Sequence, residues 1–195
     1  MAEVNDTELL RKYNLLYLEI IMRYKDYIEE NENVNVSQLP NLVTPEDEGV
    51  VGAANKIKSM FTSYTFEQNF HDAAKQAYGY VKEDISNISP PIDFWLTPSQ
   101  VIKTGAGDIF DKAVLLCSML IALGNVSTRI VIFVRQTERK FIVYSETEGK
   151  IIAFDMEGGM QEFTSKEKLL ERFEIKTGED TTAYEFNDKM YNDLA

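Results

Sequence analysis

Ile109-Phe110-Asp111-Lys112-Ala113-Val114-Leu115-Leu116-Cys117-Ser118-Met119-Leu120-Ile121-Ala122-Leu123-Gly124 is the most apolar run in the chain. Ala113, Val114, Leu116, Cys117, Leu120 and Ile121 fall on adjoining faces of a helix, and Gly124 supplies its stop. A helix apolar on most of its circumference has to be buried, so this one is central. After it come three segments with the β-branched character of strands: Ser127 to Arg135, Lys140 to Ser145 and Ile151 to Asp155. Glu148 and Gly149 make a hairpin turn between the last two. The sequence therefore predicts an α+β fold, a buried central helix packed on an antiparallel sheet, with further helices ahead of it.

Upstream, Leu10, Tyr13, Tyr17, Ile20, Tyr24 and Tyr27 recur at spacings of three and four, predicting a helix from Thr7 to Glu30 with one continuous stripe. Its tyrosines suit a partly wet contact, either with the rest of the chain or with a second copy. Under three heptads is short for an independent coiled coil, which favours the intramolecular contact. Asn31 to Pro40 reads as a linker. Thr44, Pro45 and Asp47 mark a helix start that continues through Val50, Val51, Ala54, Ile57 and Phe61, and Thr65 with Gln68 opens another through Phe66, Phe70, Ala73, Ala74, Ala77, Tyr78 and Val81, ending near Ser86 to Pro90. Pro90, Pro91 and Pro98 then punctuate a loop that Trp95 should pin to a core, with a short helical turn at Pro98 to Ile102. Lys168 to Phe173 suggests one more helix. Residues 1–40 are read as an N-terminal helix and linker, 41–175 as the main domain, and 176–195 as an acidic helix or tail.

Composition narrows the function classes. The net charge of −12 sits on the flanks, because residues 51–156 carry 11 basic against 11 acidic groups. Such a chain is repelled by phosphate backbones and has no basic stripe to offset this, so a nucleic acid is not the expected partner. No run reaches the roughly 18 to 20 apolar residues of a membrane helix, and Met1 to Asp6 lack a signal peptide's basic and apolar character; the reading is a cytoplasmic protein without membrane contact. Cys117 is the one cysteine and His71 the one histidine. They allow no internal disulfide and no zinc cluster, so neither a metal nor a cofactor is expected.

Trp95-Leu96-Thr97-Pro98, followed by Gly105-Ala106-Gly107-Asp108-Ile109-Phe110-Asp111-Lys112-Ala113 and the apolar run to Ala122-Leu123-Gly124, resembles the transglutaminase-like superfamily of the papain-like cysteine-enzyme fold, in particular its microbial and archaeal members. In that family a glycine-aspartate-cysteine sequence opens the buried helix, and a histidine and an aspartate follow on the next strands. A cysteine there feels the positive end of the helix dipole, which favours the thiolate; the histidine accepts its proton and the aspartate holds the imidazole tautomer.

The resemblance puts Ile109 at the nucleophile position, about Phe141 at the histidine position and Asp155 at the third. Neither Ile109 nor Phe141 can do the chemistry, so the resemblance implies a pseudoenzyme. Cys117 lies eight residues into the helix, about 12 Å from Ile109 at 1.5 Å per residue, and reads as a buried small hydrophobe. Asp108 and Asp111 read as capping carboxylates, Asp155 as the cap of a strand end, and His71 as a surface or packed residue. The expected function is binding or scaffolding through the former cleft around Trp95, Asp108, Ile109, Phe110, Phe141 and Asp155, with a protein or peptide as partner. Two alternatives stand beside it: a hydrolase or acyltransferase of another mechanism using Asp108, Asp111, Asp155, Tyr144 or Ser145, and a structural protein that homo-oligomerises through its first helix.

Overall fold

The computed structural model describes residues 6–31, 36–92, 94–136, 138–175 and 181–194. The chain divides into two compact units, Met1–Val34 with Pro90–Trp95, and Asn35–Ser89 with Leu96–Ala195. Residues 1–5 of the N-terminal segment, 32–35 of the expected linker and 176–180 of the expected tail lie outside the described residues.

The first unit holds α1 (Asp6–Arg23) and α2 (Lys25–Asn31). The single helix expected from Thr7 to Glu30 breaks at Tyr24, whose N–H is shared between the carbonyls of Ile20 and Ile21. Leu10, Tyr13, Tyr17, Ile20, Tyr24 and Tyr27 are all exposed.

The second unit opens with a 3-10 turn at Val36–Leu42. The sequence reads most of this stretch as linker, but Leu39 and Val43 are core residues, two apolar anchors too sparse to produce a helical period. α3 (Glu48–Lys58) is capped by Asp47, which accepts the Gly49 N–H and the Ser99 hydroxyl. Thr44, the expected cap, instead donates its N–H to Ser118 Oγ. α4 (Phe66–Gly79) buries the expected face of Phe70, Ala73, Ala74, Ala77 and Tyr78. Its start differs from the expected Thr65–Gln68 box: Asn69 Oδ1 accepts the Thr65 N–H. A π-helical turn, Tyr80–Asp84, finishes it and leads into β1 (Ser86–Asn87), which runs parallel to β2 (Ala106–Gly107). Between those strands, α5 (Pro98–Thr104) carries a Thr97–Gln100 capping box, proline in its first turn and Gly105 in the left-handed conformation at its end, where a Cβ would be strained.

α6 (Ile109–Ala122) is buried from Phe110 through Ile121. It packs on one face of an antiparallel sheet built from β3 (Arg129–Arg135), β4 (Glu138–Thr147), β5 (Lys150–Asp155), β6 (Gly159–Phe163), β7 (Thr181–Phe186) and β8 (Tyr191–Asp193), in the order β6-β5-β4-β3-β7-β8. The other face is covered by α7 (Lys166–Arg172), whose Leu169, with Phe173, clusters with Val131, Phe133, Ile142, Tyr144, Ile151, Ala153 and Ala183.

The acidic C-terminal helix or tail is therefore corrected: among the described residues it forms two strands, and β7 lies inside the sheet beside β3. Thr181-Thr182-Ala183-Tyr184-Glu185-Phe186 has the β-branched and aromatic content of a strand. Its acidic character misleads because Glu185 is buried and answered by Lys166 at 2.6 Å and by the Tyr144 hydroxyl at 2.7 Å.

Candidate functional site

The N-terminus of α6 is built from two carboxylates. Asp108 Oδ1 accepts the Asp111 N–H at 2.8 Å, and Asp111 Oδ2 accepts the Asp108 N–H at 3.0 Å, a reciprocal capping box. Asp111 Oδ1 also accepts the Leu96 N–H at 2.9 Å, so one side chain ties the segment entering α5 to the start of the buried helix. Asp111 is almost fully buried. Burial pushes its carboxyl up to about 6, the nearby Asp108 charge adds to this, and the Leu96 and Asp108 N–H groups oppose it. Gly107 leaves it room, because a Cβ there would stand 2.9 Å from that of Asp111.

The next residue in the chain, Lys112, is also buried, its Nζ donating to the carbonyls of Ile85 at 2.8 Å and Lys82 at 3.3 Å. Those carbonyls belong to the π-helical turn and the residue after it. The Asp-Lys pair that opens the apolar run thus fastens segments on two sides of α6, which the sequence reading missed for lysine. A lysine followed by an unbroken apolar run was the available signal, since such a lysine needs acceptors inside the fold.

Ile109 occupies the first position of α6 and is half-buried. Phe110, beside it, is buried and places its ring 5.4 Å from that of half-buried Phe141 on β4. The start of the helix and the predicted strand position thus meet through an aromatic pair.

Asp155 does not join them. Side chains paired across an antiparallel ladder lie on the same face of the sheet, and successive ones alternate. Asp155 pairs with Ile142, and Val143 with Phe154. Phe141, Val143 and Phe154 therefore share the face toward α4 and α6, where Phe154 meets Tyr78 of α4 at 5.6 Å. Ile142 belongs with the cluster around α7, and Asp155 has the parity of that face. Its Oδ1 accepts the Glu157 N–H at 2.9 Å, the role of a strand-end cap. Asp155 thus lies on the adjacent strand opposite Ile142, one residue from Phe141, as expected, but register turns its side chain to the other face of the sheet.

The other candidates are engaged elsewhere. Ser145 is fully buried and hydrogen-bonded to Thr128 at 2.7 Å. Tyr144 donates to Glu185 and accepts from Arg129 at 3.0 Å, and burial pushes its phenol far above the ordinary range. Cys117 is fully buried, which pushes its thiol well up. His71 is on α4, its Nε2 3.0 Å from Glu162 Oε1, and it borders a cavity of about 400 Å³ together with Thr147, Glu148 and Lys150. That end of β4 is about 20 Å from Phe141 at 3.3 Å per residue. Trp95 is half-buried and belongs to the first unit. Among the described residues no group of three or more His, Cys, Asp or Glu side chains is placed to hold a metal ion.

A buried helix laid across an antiparallel sheet, with the helix start facing a central strand, is the papain-like, transglutaminase-like arrangement. Legionella pneumophila LapG, a protein of the transglutaminase-like cysteine-protease fold, superposes with a TM-score of 0.51 at 17% identity, over 83% of this chain and 88% of its own. Its EGTA-treated form gives a TM-score of 0.51 at 16% identity, over 83% and 87%. No family model and no curated protein matches the sequence. The likeness establishes the fold.

Proposed function

We propose that this chain is a catalytically silent transglutaminase-like domain that works by binding a protein or peptide at the start of α6. The observation that carries the reading is the pair Ile109 and Phe141, two half-buried apolar residues at the helix start and the facing strand. The chain's one cysteine is sealed in mid-helix and its one histidine pairs with Glu162. A cysteine–histidine relay has no members to draw on, while partly exposed apolar ground beside Asp108 suits an apolar side chain flanked by a basic one.

Two measurements on the full chain test this. Amide and ester substrates and electrophilic thiol and serine probes should give no turnover and no labelling of the folded protein. Affinity capture from the native source should recover a partner that is lost with Ile109→Asp, a variant whose folding is checked by circular dichroism. Reproducible turnover abolished by Asp155→Ala or Asp111→Ala would sink the silent reading, and capture unchanged by Ile109→Asp would move the binding site elsewhere.

A further inference from the structure

α1 presents an apolar face with nothing of its own unit covering it. Leu9, Leu10, Tyr13, Leu16, Tyr17 and Ile20 are between 40% and 60% exposed. At 100° per residue they span an arc of about 120°, which no polar residue from Thr7 to Arg23 enters, wider than the seam of a two-stranded coiled coil requires. Within its unit the face is open along the whole 18-residue helix, a patch that soluble monomers rarely leave open.

We propose that this face pairs with the same face of a second copy, the two α1 helices running antiparallel about a twofold axis. Leu9, Tyr13, Leu16 and Ile20 follow spacings of four, three and four, the seam of a coiled coil. Run antiparallel, Leu9 of one copy faces Ile20 of the other and Tyr13 faces Leu16, giving four layers. The same alignment sets Leu10 against Tyr17 on one flank and Lys12 against Glu19 on the other. Both flanks are then complementary, apolar on apolar and cation on anion. A parallel pairing would set the Lys12–Glu19 flank of one copy against the Leu10–Tyr17 flank of the other, charged on apolar, with no ion pair formed between the copies. Direction is therefore written in the charges.

The area is sufficient. The exposed parts of the six side chains amount to on the order of 600 Å² per copy, and the stems of Lys12 and Glu19 bring this near the roughly 800 Å² each partner gives to a standard interface. Lys12 already pairs with Glu8 at 2.9 Å within the helix, which holds its ammonium on the flank where Glu19 of the second copy arrives. A lipid surface fits less well. Interfacial helices carry a Lys- and Arg-rich polar face, whereas α1 balances Arg11, Lys12 and Arg23 with Asp6, Glu8 and Glu19, and the whole chain carries −12.

The test is sedimentation equilibrium of the full chain over a range of concentrations, with four variants. Wild type should dimerise. Leu16→Glu should raise the dimer dissociation constant on the order of 100-fold, since it buries an unpaired carboxylate twice in the seam, without changing the melting of the second unit. Lys12→Glu and Glu19→Lys should each weaken the dimer, and Lys12→Glu with Glu19→Lys in one chain should restore it. A monomeric wild type, a dimer indifferent to Leu16→Glu, or a double swap no better than the single ones would each overturn the proposal. So would a wild type that stays monomeric while co-sedimenting with phosphatidylcholine–phosphatidylserine vesicles. None of these outcomes bears on the reading of the α6 site, which lies in the other unit.

Discussion

Phe110 and Phe141 stand ring to ring at 5.4 Å, one from the first turn of the buried helix and the other from the strand it faces. An edge-tilted aromatic pair of this kind contributes beyond its buried area by about 0.5 to 1.5 kcal/mol. Phe110→Ala is expected to cost about 3 kcal/mol or more because the ring is buried. Phe141→Ala should cost less, its ring being half-exposed. In a double-mutant cycle followed by urea unfolding, the two losses should fall short of additivity by about 1 kcal/mol; full additivity would mean the rings do not interact.

Asp111 makes stability depend on pH in an unusual direction. Its carboxyl titrates at about 6 in the fold against an ordinary 3.8. A carboxyl raised on folding binds its proton more tightly in the native state, so between these values stability rises as the pH falls. Asp111→Asn removes that contribution and also sets an amide donor against the Asp108 N–H. The variant should therefore be less stable than wild type throughout, and its deficit should grow by about 1 kcal/mol between pH 7 and pH 5. Urea midpoints at the two values measure it, and a deficit that shrinks on acidification would contradict the assignment.

How much of this is legible in the sequence follows from which signals are local. The run from Ile109 to Leu123 and the strands around Val131, Val143 and Ile152 announce themselves by composition, and the Asp108–Asp111 capping box by its spacing. β6, at the edge of the sheet, has the mostly half-buried Gly159-Met160-Gln161-Glu162-Phe163 and carries no apolar alternation to read. β7 is masked by an acidic residue that only Lys166 and Tyr144, distant in sequence, make tolerable. Asp155 stands opposite Ile142, one residue from Phe141, and in a pleated sheet that one residue is the difference between two faces, which spacing alone does not decide. The division of the chain at Val34 falls inside the polar stretch read as a linker, but the assignment of Pro90–Trp95 to the first unit depends on contacts that no local pattern encodes.

Cys117 offers a direct check on the α6 packing. It is completely buried in mid-helix with its thiol held protonated, and thiol reactivity needs both access and thiolate. A bulky maleimide should label it no faster than the protein unfolds, and urea should raise the rate in step with the unfolding curve. Labelling within minutes in native buffer would place the helix elsewhere.

The last prediction concerns rebuilding the chemistry. Ile109→Cys puts a thiol at the first turn of α6, where the helix dipole favours the thiolate but the Asp108 and Asp111 carboxylates oppose it. Phe141→His puts an imidazole on the facing strand, and the Phe110–Phe141 contact shows that this strand position reaches the helix start. The double variant should therefore show faster alkylation of the introduced thiol than Ile109→Cys alone, with an alkylation pKa shifted down by the imidazolium. It should still not turn over peptide amides or esters. The third member of such a relay orients the imidazole and stabilises its charged form, and its loss from a working triad costs about 10⁴ in turnover. Asp155 is not placed to supply it, because register gives its side chain the parity of the α7 face, where its Oδ1 accepts the Glu157 N–H. Measurable hydrolysis by the double variant that disappears on adding Asp155→Asn would show that the carboxylate does reach position 141, and the register argument would then be wrong.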